Sequence, residues 1–378
     1  MPVSIREIRA RRDLNVYIHL PDKIHAFHKG WVPPIYADEW EFYNPGKNRF
    51  FQDCSTILLL AEKDGKPAGR IMGIINHKYN TVHQETGGRF FAFECYNDQE
   101  VALALLTTIE DWLRQQGMTK VIGPFGFSDK DPQGFLIEGY DQPVIIATNF
   151  SLPYMVDLTV QCGYAKEIDC VDYILPVPDI IPDFYRAIYS RTLDVNHFTL
   201  KEFSSRKELK PVIRPVFDLI NKTYAHIYGF SELTTKEIDY FANRYLSVIN
   251  PKFVKVIYNE KHELIAFALA MPEISEGIRK ANGRIFPLGF IHILRASRTS
   301  RLLTMLLGAI HSDYRNNGLD AVLGIKMLEA AQGAKFELID SHLVLETNLK
   351  MRAEYEKLGG TVKKRYRIYC KSLTTPVS

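Results

Sequence analysis

Arg315-Asn316-Asn317-Gly318 joins an apolar, strand-like run, residues 302–311, directly to a helix-like one, residues 319–332. A glycine loop passing from a strand into a helix leaves several backbone N–H groups unpaired at the helix N-terminus, where the helix dipole also favours an anion. Arg315, Asn316, Asn317, Gly318, Leu319 and Asp320 therefore make a candidate cradle for a pyrophosphate. The same residues also read as a tight turn, because Asn-Gly is a favoured turn pair. Downstream, residues 341–346 alternate so that His342, Val344 and Glu346 share one face, with Glu346 at the carboxyl end of a strand, where ligands of α/β sheets collect. Asn348 opens the next helix, and Tyr355 follows two turns later on the same face. Glu346, Asn348 and Tyr355 then line one cleft, and His311 closes the strand entering the loop. Glu346 or His311 is suited to take a proton from a nucleophile. The alternatives are a helix N-cap for Asn348, a dipole partner for Glu346 and a packing role for Tyr355.

Such residues need a framework. Residues 55–61 and 68–75 flank a turn at 63–66 and read as a hairpin. Residues 89–96 are a strand, and 99–116 a helix whose Val101, Leu105, Ile109, Trp112 and Leu113 recur at helical spacing until Gly117 stops it. Short strand, short helix and strand follow at 120–122, 153–161 and 169–175. Pro176, Pro178 and Pro182 mark a boundary. The second half repeats the order, with a strand at 198–203, helices at 207–224 and 234–249 and a hairpin of 253–258 with 265–271. After an irregular stretch come strand 302–311, the loop, helix 319–332, strand 336–345, helix 348–358 and strand 362–369. Setting Gly163 against Gly359, an offset of 196 residues, gives both flanks one helix-Gly-strand plan. Two copies of an α/β unit are expected, residues 1–178 and 197–378, with 179–196 as linker.

At 378 residues the chain is long enough for two domains. A net charge of +3 is too small to call for nucleic acid, so any anion site must be local. Cys54, Cys95, Cys162, Cys170 and Cys370 are odd in number and lack any CxxC, which fits reduced thiols in a cytoplasmic protein without a metal. The basic N-terminus lacks the apolar run of a secretory signal, and apolar stretches fall short of the ~20 residues of a membrane helix. Peripheral contact with the inner face of a membrane stays open. Lys363-Lys364-Arg365 with Arg367 reads as a solvated strand edge, or as a patch for an acidic partner.

Strand, R-x-x-G loop, helix, strand, helix with tyrosine, glycine and final strand together resemble the GCN5-related N-acetyltransferase (GNAT) superfamily. That resemblance implies a tandem GNAT fold of α/β class with a mixed sheet. It also implies acyl-CoA as co-substrate, held by backbone N–H groups at Arg315–Asp320, and Tyr355 as the acid that protonates the departing thiolate. Asp320 departs from the small residue expected there, and a carboxylate beside a pyrophosphate repels it. A narrower resemblance covers nearly the whole chain. Residues 30–51 (GWVPPIYADEWEFYNPGKNRFF), 69–76 (GRIMGIIN), 90–98 (FFAFECYND), 123–141 (GPFGFSDKDPQGFLIEGYD) and 345–371 (LETNLKMRAEYEKLGGTVKKRYRIYCK) look like the YghO-like family, which includes bacterial ceramide synthase-like proteins. It implies transfer of an acyl group from acyl-CoA or acyl carrier protein to a small-molecule or lipid amine, such as a sphingoid base. The first copy is altered, since Thr159 stands opposite Tyr355 and residues 93–99 lack R-x-x-G. Chemistry is therefore expected in the second copy, with Trp31, Phe42, Phe50, Phe51 and Tyr140 of the first as candidate apolar lining or ordinary core. A catalytically inactive acyl-CoA- or lipid-binding module is the alternative, and aminoacyl transfer from tRNA a third reading that the modest net charge disfavours.

Overall fold

The computed structural model describes residues 2–181, 183–245 and 249–374. In the first half the strands are β1 (Ser4–Glu7), β2 (Cys54–Lys63), β3 (Lys66–Asn76), β4 (Gly87–Cys95), β5 (Lys120–Gly123), β6 (Phe135–Glu138) and β7 (Ala165–Pro176). The second half supplies β8 (Thr199–Glu202), β9 (Val254–Tyr258), β10 (Leu264–Pro272), β11 (Leu302–Ile310), β12 (Leu338–Leu345) and β13 (Thr361–Ser372). They form one sheet in the order β1-β2-β3-β4-β5-β13-β7-β12-β11-β10-β9-β8, with β6 also on β13. This order reads the same way inward from both ends, as an internal repeat requires. The closing strand of each half, however, lies beside the fifth strand of the other: β13 pairs with β5, and β7 with β12. β7 and β13 pair with each other along their length at the centre.

Each half is mixed in the same way, antiparallel up to its fourth strand and parallel between its fourth and fifth. In the first half, helix Gln99–Gln115 buries Val101, Leu105, Ile109 and Leu113 against β3. Its counterpart, helix Leu319–Gly333, is apolar on nearly every side. It lies between the sheet and helix Asp183–Asn196, which occupies most of the segment expected as a linker. The stretch read as irregular holds two helices, Ser275–Lys280 and Gly289–Thr299. Helix Arg11–Ile24 and strand β1 were also without a sequence expectation.

The basic run on β13 is corrected by this topology. β13 is a central strand, and Lys364 is fully enclosed beside Asp172, while Arg367 holds Asp169 through two N–H bonds of 2.8 and 3.0 Å. Exchange of the closing strands turned an expected edge into the middle of the sheet.

Candidate active site

β11 and β12 pair only at Leu302↔Leu338, Leu303↔Ile339 and Thr304↔Asp340, and then diverge. On the other side of β11, Leu269 faces Leu307 and Ala270 faces Met305, so Leu306 is the extra residue of a β-bulge. β12 is distorted at the same level: Asp340 faces Ile174 and Leu343 faces Asp172, leaving Ser341 and His342 opposite Tyr173 alone. His342 takes φ +57 there. This bulge interrupts the alternation expected to put His342 on the face of Val344 and Glu346.

The loop after β11 ends at Gly318, which has φ +77 and begins helix Leu319–Gly333 with no side-chain cap. Asn316 is also left-handed, at φ +66. A Cβ on Gly318 would overlap the Thr192 hydroxyl of helix Asp183–Asn196, so both backbone and packing demand glycine. Among the described residues, the N–H groups of residues 316–321 have no protein acceptor; the first amide bonded back is that of Val322, to Gly318 O at 3.1 Å. The equivalent position in the first half is closed. There Asp98 Oδ1 accepts from the amides of Glu100 (3.0 Å) and Val101 (3.3 Å), while Lys63 Nζ holds its Oδ2 at 2.6 Å. The protein's own carboxylate fills one helix N-terminus, and the other stays open to an external anion.

Where the strands part, a buried polar group gathers from both halves. Asp340 of β12, Asp172 of β7 and Lys364 of β13 are all but inaccessible, and Lys364 Nζ lies 2.8 Å from Asp172 Oδ2 and 3.2 Å from Pro143 O. Burial raises the Asp172 carboxyl; burial and the adjacent Asp172 hold Asp340 well above the usual carboxylate range. Asp340 Oδ1 accepts from the His342 amide, while Asp340 Oδ2 and His342 Nε2 are buried without partners among the described residues. Burial lowers the His342 imidazole to about 4, so it is neutral at physiological pH. Glu273 borders the group, accepting from Thr304 Oγ1 at 3.1 Å and from the Ile146 amide of the first half at 3.2 Å.

Tyr355 projects from helix Leu349–Lys357 toward this splay. Its ring is partly exposed and lies 5.7 Å from that of Tyr173. Its hydroxyl end is enclosed, and burial, reinforced by Asp340, Tyr224 and Asp172, raises its pKa and keeps it protonated. Tyr224, the last residue of helix Arg206–Tyr224, reaches β11 from the other side, donating to Gly308 O at 2.7 Å. The other sequence candidates lie differently. Glu346 accepts from Lys166 Nζ (2.9 Å) and the Asp169 amide (3.1 Å), and His311 Nδ1 faces the Asp313 amide at 3.4 Å. Neither has Tyr355 among its polar or ring partners. Asn348 Oδ1 caps its helix at the Met351 amide, 3.3 Å away; Arg315 Nε turns back to Ile310 O at 3.4 Å, and the Asp320 side chain is exposed. Thr159, opposite Tyr355 in the repeat, donates its hydroxyl to Met155 O.

Asp172 and Asp340 were absent from the sequence reading, and Lys364 entered it only as part of a basic strand edge. A signal existed: Asp172 stands inside CVDYIL and Asp340 inside ELID, each a carboxylate within an otherwise apolar strand, where an unpaired charge is not tolerated. Beside this group opens a cleft of about 320 Å³, with Lys364 and Tyr366 on one side and Leu136, Tyr140, Val144 and Phe150 of the first half on the other. Of the expected aromatic lining, Tyr140 is here. Phe42, Phe50 and Phe51 pack around Phe127 in the first-half core, and Trp31 lies against His25. Among the described residues no three His, Cys, Asp or Glu side chains converge on a metal position.

No protein-family model matches the sequence. The chain is 25% identical over 382 residues to Protein YghO of Escherichia coli (strain K12), covering 98% of this chain and 95% of that one. It is 25% identical over 386 residues to Bacterial ceramide synthase of Caulobacter vibrioides (strain NA1000 / CB15N), covering 98% of each. Among solved structures it is similar to a tandem GNAT protein from the clavulanic acid biosynthesis pathway, with a TM-score of 0.56 at 10% identity over 99% of both chains. A GCN5-related N-acetyltransferase from Sphaerobacter thermophilus gives a TM-score of 0.52 at 11% identity, over 100% of this chain and 97% of that one. The fold is the tandem GNAT fold.

Proposed function

We propose that this chain, a YghO-like protein with the tandem GNAT fold, is an N-acyltransferase that moves an acyl group from acyl-CoA or an acyl-carrier thioester to the amine of a long-chain acceptor, such as a sphingoid base. The observation that carries the reading is the run of unpartnered amides at residues 316–321 beside a strand splay into which Tyr355 points. Residues 197–378 supply the donor site, and residues 1–178 wall the cleft that receives the acceptor.

The pyrophosphate binds at Arg315, Asn316, Asn317, Gly318, Leu319 and Asp320, and the pantetheine arm follows the gap between β11 and β12. A backbone N–H near the Leu306 bulge receives the thioester oxygen, which gains negative charge as the amine attacks. The nitrogen–carbon bond forms, the carbon–sulfur bond breaks, and the departing thiolate takes its proton from the Tyr355 hydroxyl. The proton shed by the amine passes to the Asp172 carboxylate, which Lys364 favours, while Asp340 holds its own proton. These buried carboxyls suit that step better than Glu346 or His311, which are held by other partners.

The test is release of free thiol from a long-chain acyl-CoA in the presence of a panel of amines, with the amide identified by mass spectrometry. Tyr355→Phe should lower kcat by about 10²–10⁴-fold with the fold intact. Equal turnover by wild type and Tyr355→Phe would remove Tyr355 from the mechanism. A second reading, a silent acyl-CoA- or lipid-binding module, is favoured by the exposed Asp320 carboxylate at the phosphate loop. It predicts tight binding of acyl-CoA with no thiol release for any amine.

A further inference from the structure

The link between β10 and β11 is the segment without a simple counterpart. In the first half a single short helix, His77–His83, joins the equivalent strands; in the second, a hairpin of helices Ser275–Lys280 and Gly289–Thr299 does so. The two helices pack closely, since a Cβ on Gly277 would strike the backbone of Ile293 and the Ala296 methyl. That contact turns one stripe of the longer helix inward and leaves Phe290, Ile291 and Leu294 outside.

These outward residues are 40%, 49% and 51% exposed, and the preceding turn adds Phe286 at 80% and Leu288 at 65%. The Phe286 and Phe290 rings lie 6.4 Å apart, and five exposed large apolar side chains within residues 286–294 mark a contact site. Its border is cationic. Arg284, Arg295 and Arg298 flank the patch, and none has a carboxylate within ion-pair distance among the described residues; Arg279, Lys280 and Arg301 are paired. The hairpin is fastened to the first half, with Arg279 donating to Lys29 O at 2.7 Å and the Tyr36 amide to Gly283 O at 3.1 Å. The tethered loop carries Phe27, 94% exposed, on the rim of the cleft beside Lys364.

We infer that the hairpin of residues 275–301, with Phe27, is an interfacial docking surface for an anionic phospholipid membrane. Large apolar side chains at the tip with arginines around them are the pattern of a helix that lies in the headgroup region. A second copy of the chain fits the charges less well, because a two-fold contact on this face would bring the same arginines against each other. No helix among the described residues is long and apolar enough to cross a membrane, so the contact is with the surface. The inference does not depend on acyl transfer, since binding to vesicles needs no turnover.

Co-sedimentation of the full chain with vesicles of phosphatidylcholine alone, and of phosphatidylcholine mixed with phosphatidylglycerol, tests it. Wild type should bind the mixed vesicles, release as salt is raised, and bind neutral vesicles weakly. Arg284→Glu, Arg295→Glu and Arg298→Glu together should weaken binding by at least about a hundredfold. Phe290→Ser with Leu294→Ser should also abolish it, with cooperative thermal unfolding retained to show that the loss is not one of folding. Failure of wild type to bind anionic vesicles, or equal binding by the variants, overturns the inference. So does a dimer of wild type in solution that Phe290→Ser with Leu294→Ser dissolves while no vesicle binds.

Discussion

Replacement of Lys364 by methionine probes the buried group at the splay. The ammonium and Asp172 are 2% and 0% exposed and 2.8 Å apart, with the Asp340 carboxyl adjoining. Methionine keeps most of the volume of the lysine stem and removes the charge, so packing is nearly conserved and the electrostatic consequence dominates. Removing one member of an enclosed pair costs about 3–5 kcal/mol, because the other charge is left without compensation. At about 2 °C per kcal/mol for a domain of this size, Tm should fall by roughly 6–10 °C. The pH dependence carries the sign. Both carboxyls have folded pKa values above their unfolded ones, so their contribution is fully present below the ordinary carboxyl pKa and is lost as pH rises through the folded values. Without Lys364 those values rise further, and the deficit of the variant should be larger at pH 8 than at pH 5. Adding Asp172→Asn to Lys364→Met should recover most of the loss. Scanning calorimetry of the wild type, the single variant and the double variant at both pH values measures all of this. A fall in Tm of under about 2 °C at pH 8, or a double variant no more stable than the single one, would refute the assignment of an ion pair there.

Other consequences can be checked separately. Asp320→Ala removes an exposed carboxylate beside the open amides and should tighten CoA binding by a few-fold at low salt, an effect of about 1 kcal/mol that titration calorimetry resolves and added salt should erase. His342 is neutral when folded, with its pKa lowered by burial to about 4 from an unfolded value of 6.5. Between those values the unfolded chain binds a proton that the folded chain does not, so stability should drop by up to about 3 kcal/mol as pH falls from 6.5 to 4. His342→Gln should flatten that part of the profile, and an unaltered slope would assign the acid sensitivity to other groups.

What the sequence made legible was local. The helix at Gln99–Gln115 and the order of elements in the second half follow from side-chain periodicity, and the glycine at position 318 announces a chain reversal into a helix. The hairpin of residues 275–301 did not read as helical because one helix is too short for a period and the other turns Phe290, Ile291 and Leu294 to solvent. Glu346 looked poised because it ends a strand, yet strand position alone says nothing about Lys166 and the Asp169 amide, which reach it from β7. Lys363-Lys364-Arg365 was misread for the same reason. Which strand lies next to which is set by pairing between distant segments, and nothing in the run itself records that its neighbours are β5, β6 and β7.

The exchange of closing strands also bears on how the repeat can be divided. If each half folded alone, β12 would need another partner in place of β7, and Asp340 would lose Asp172, which belongs to the first half. Lys364, though encoded in the second half, also donates to Pro143 of the first. A fragment of residues 179–378 would thus expose the long edges of β12 and β13 and leave the buried cation without its nearest carboxylate, both of which favour association or unfolding. Produced separately, residues 1–178 and 179–378 should be aggregated or poorly folded, whereas together they should form a soluble one-to-one complex that binds CoA. A monomeric 179–378 fragment with cooperative unfolding and the CoA affinity of the whole chain would mean that the donor site is complete without β7. The strand exchange would then be a matter of packing only, and the Asp172–Asp340 pair would have no part in the chemistry.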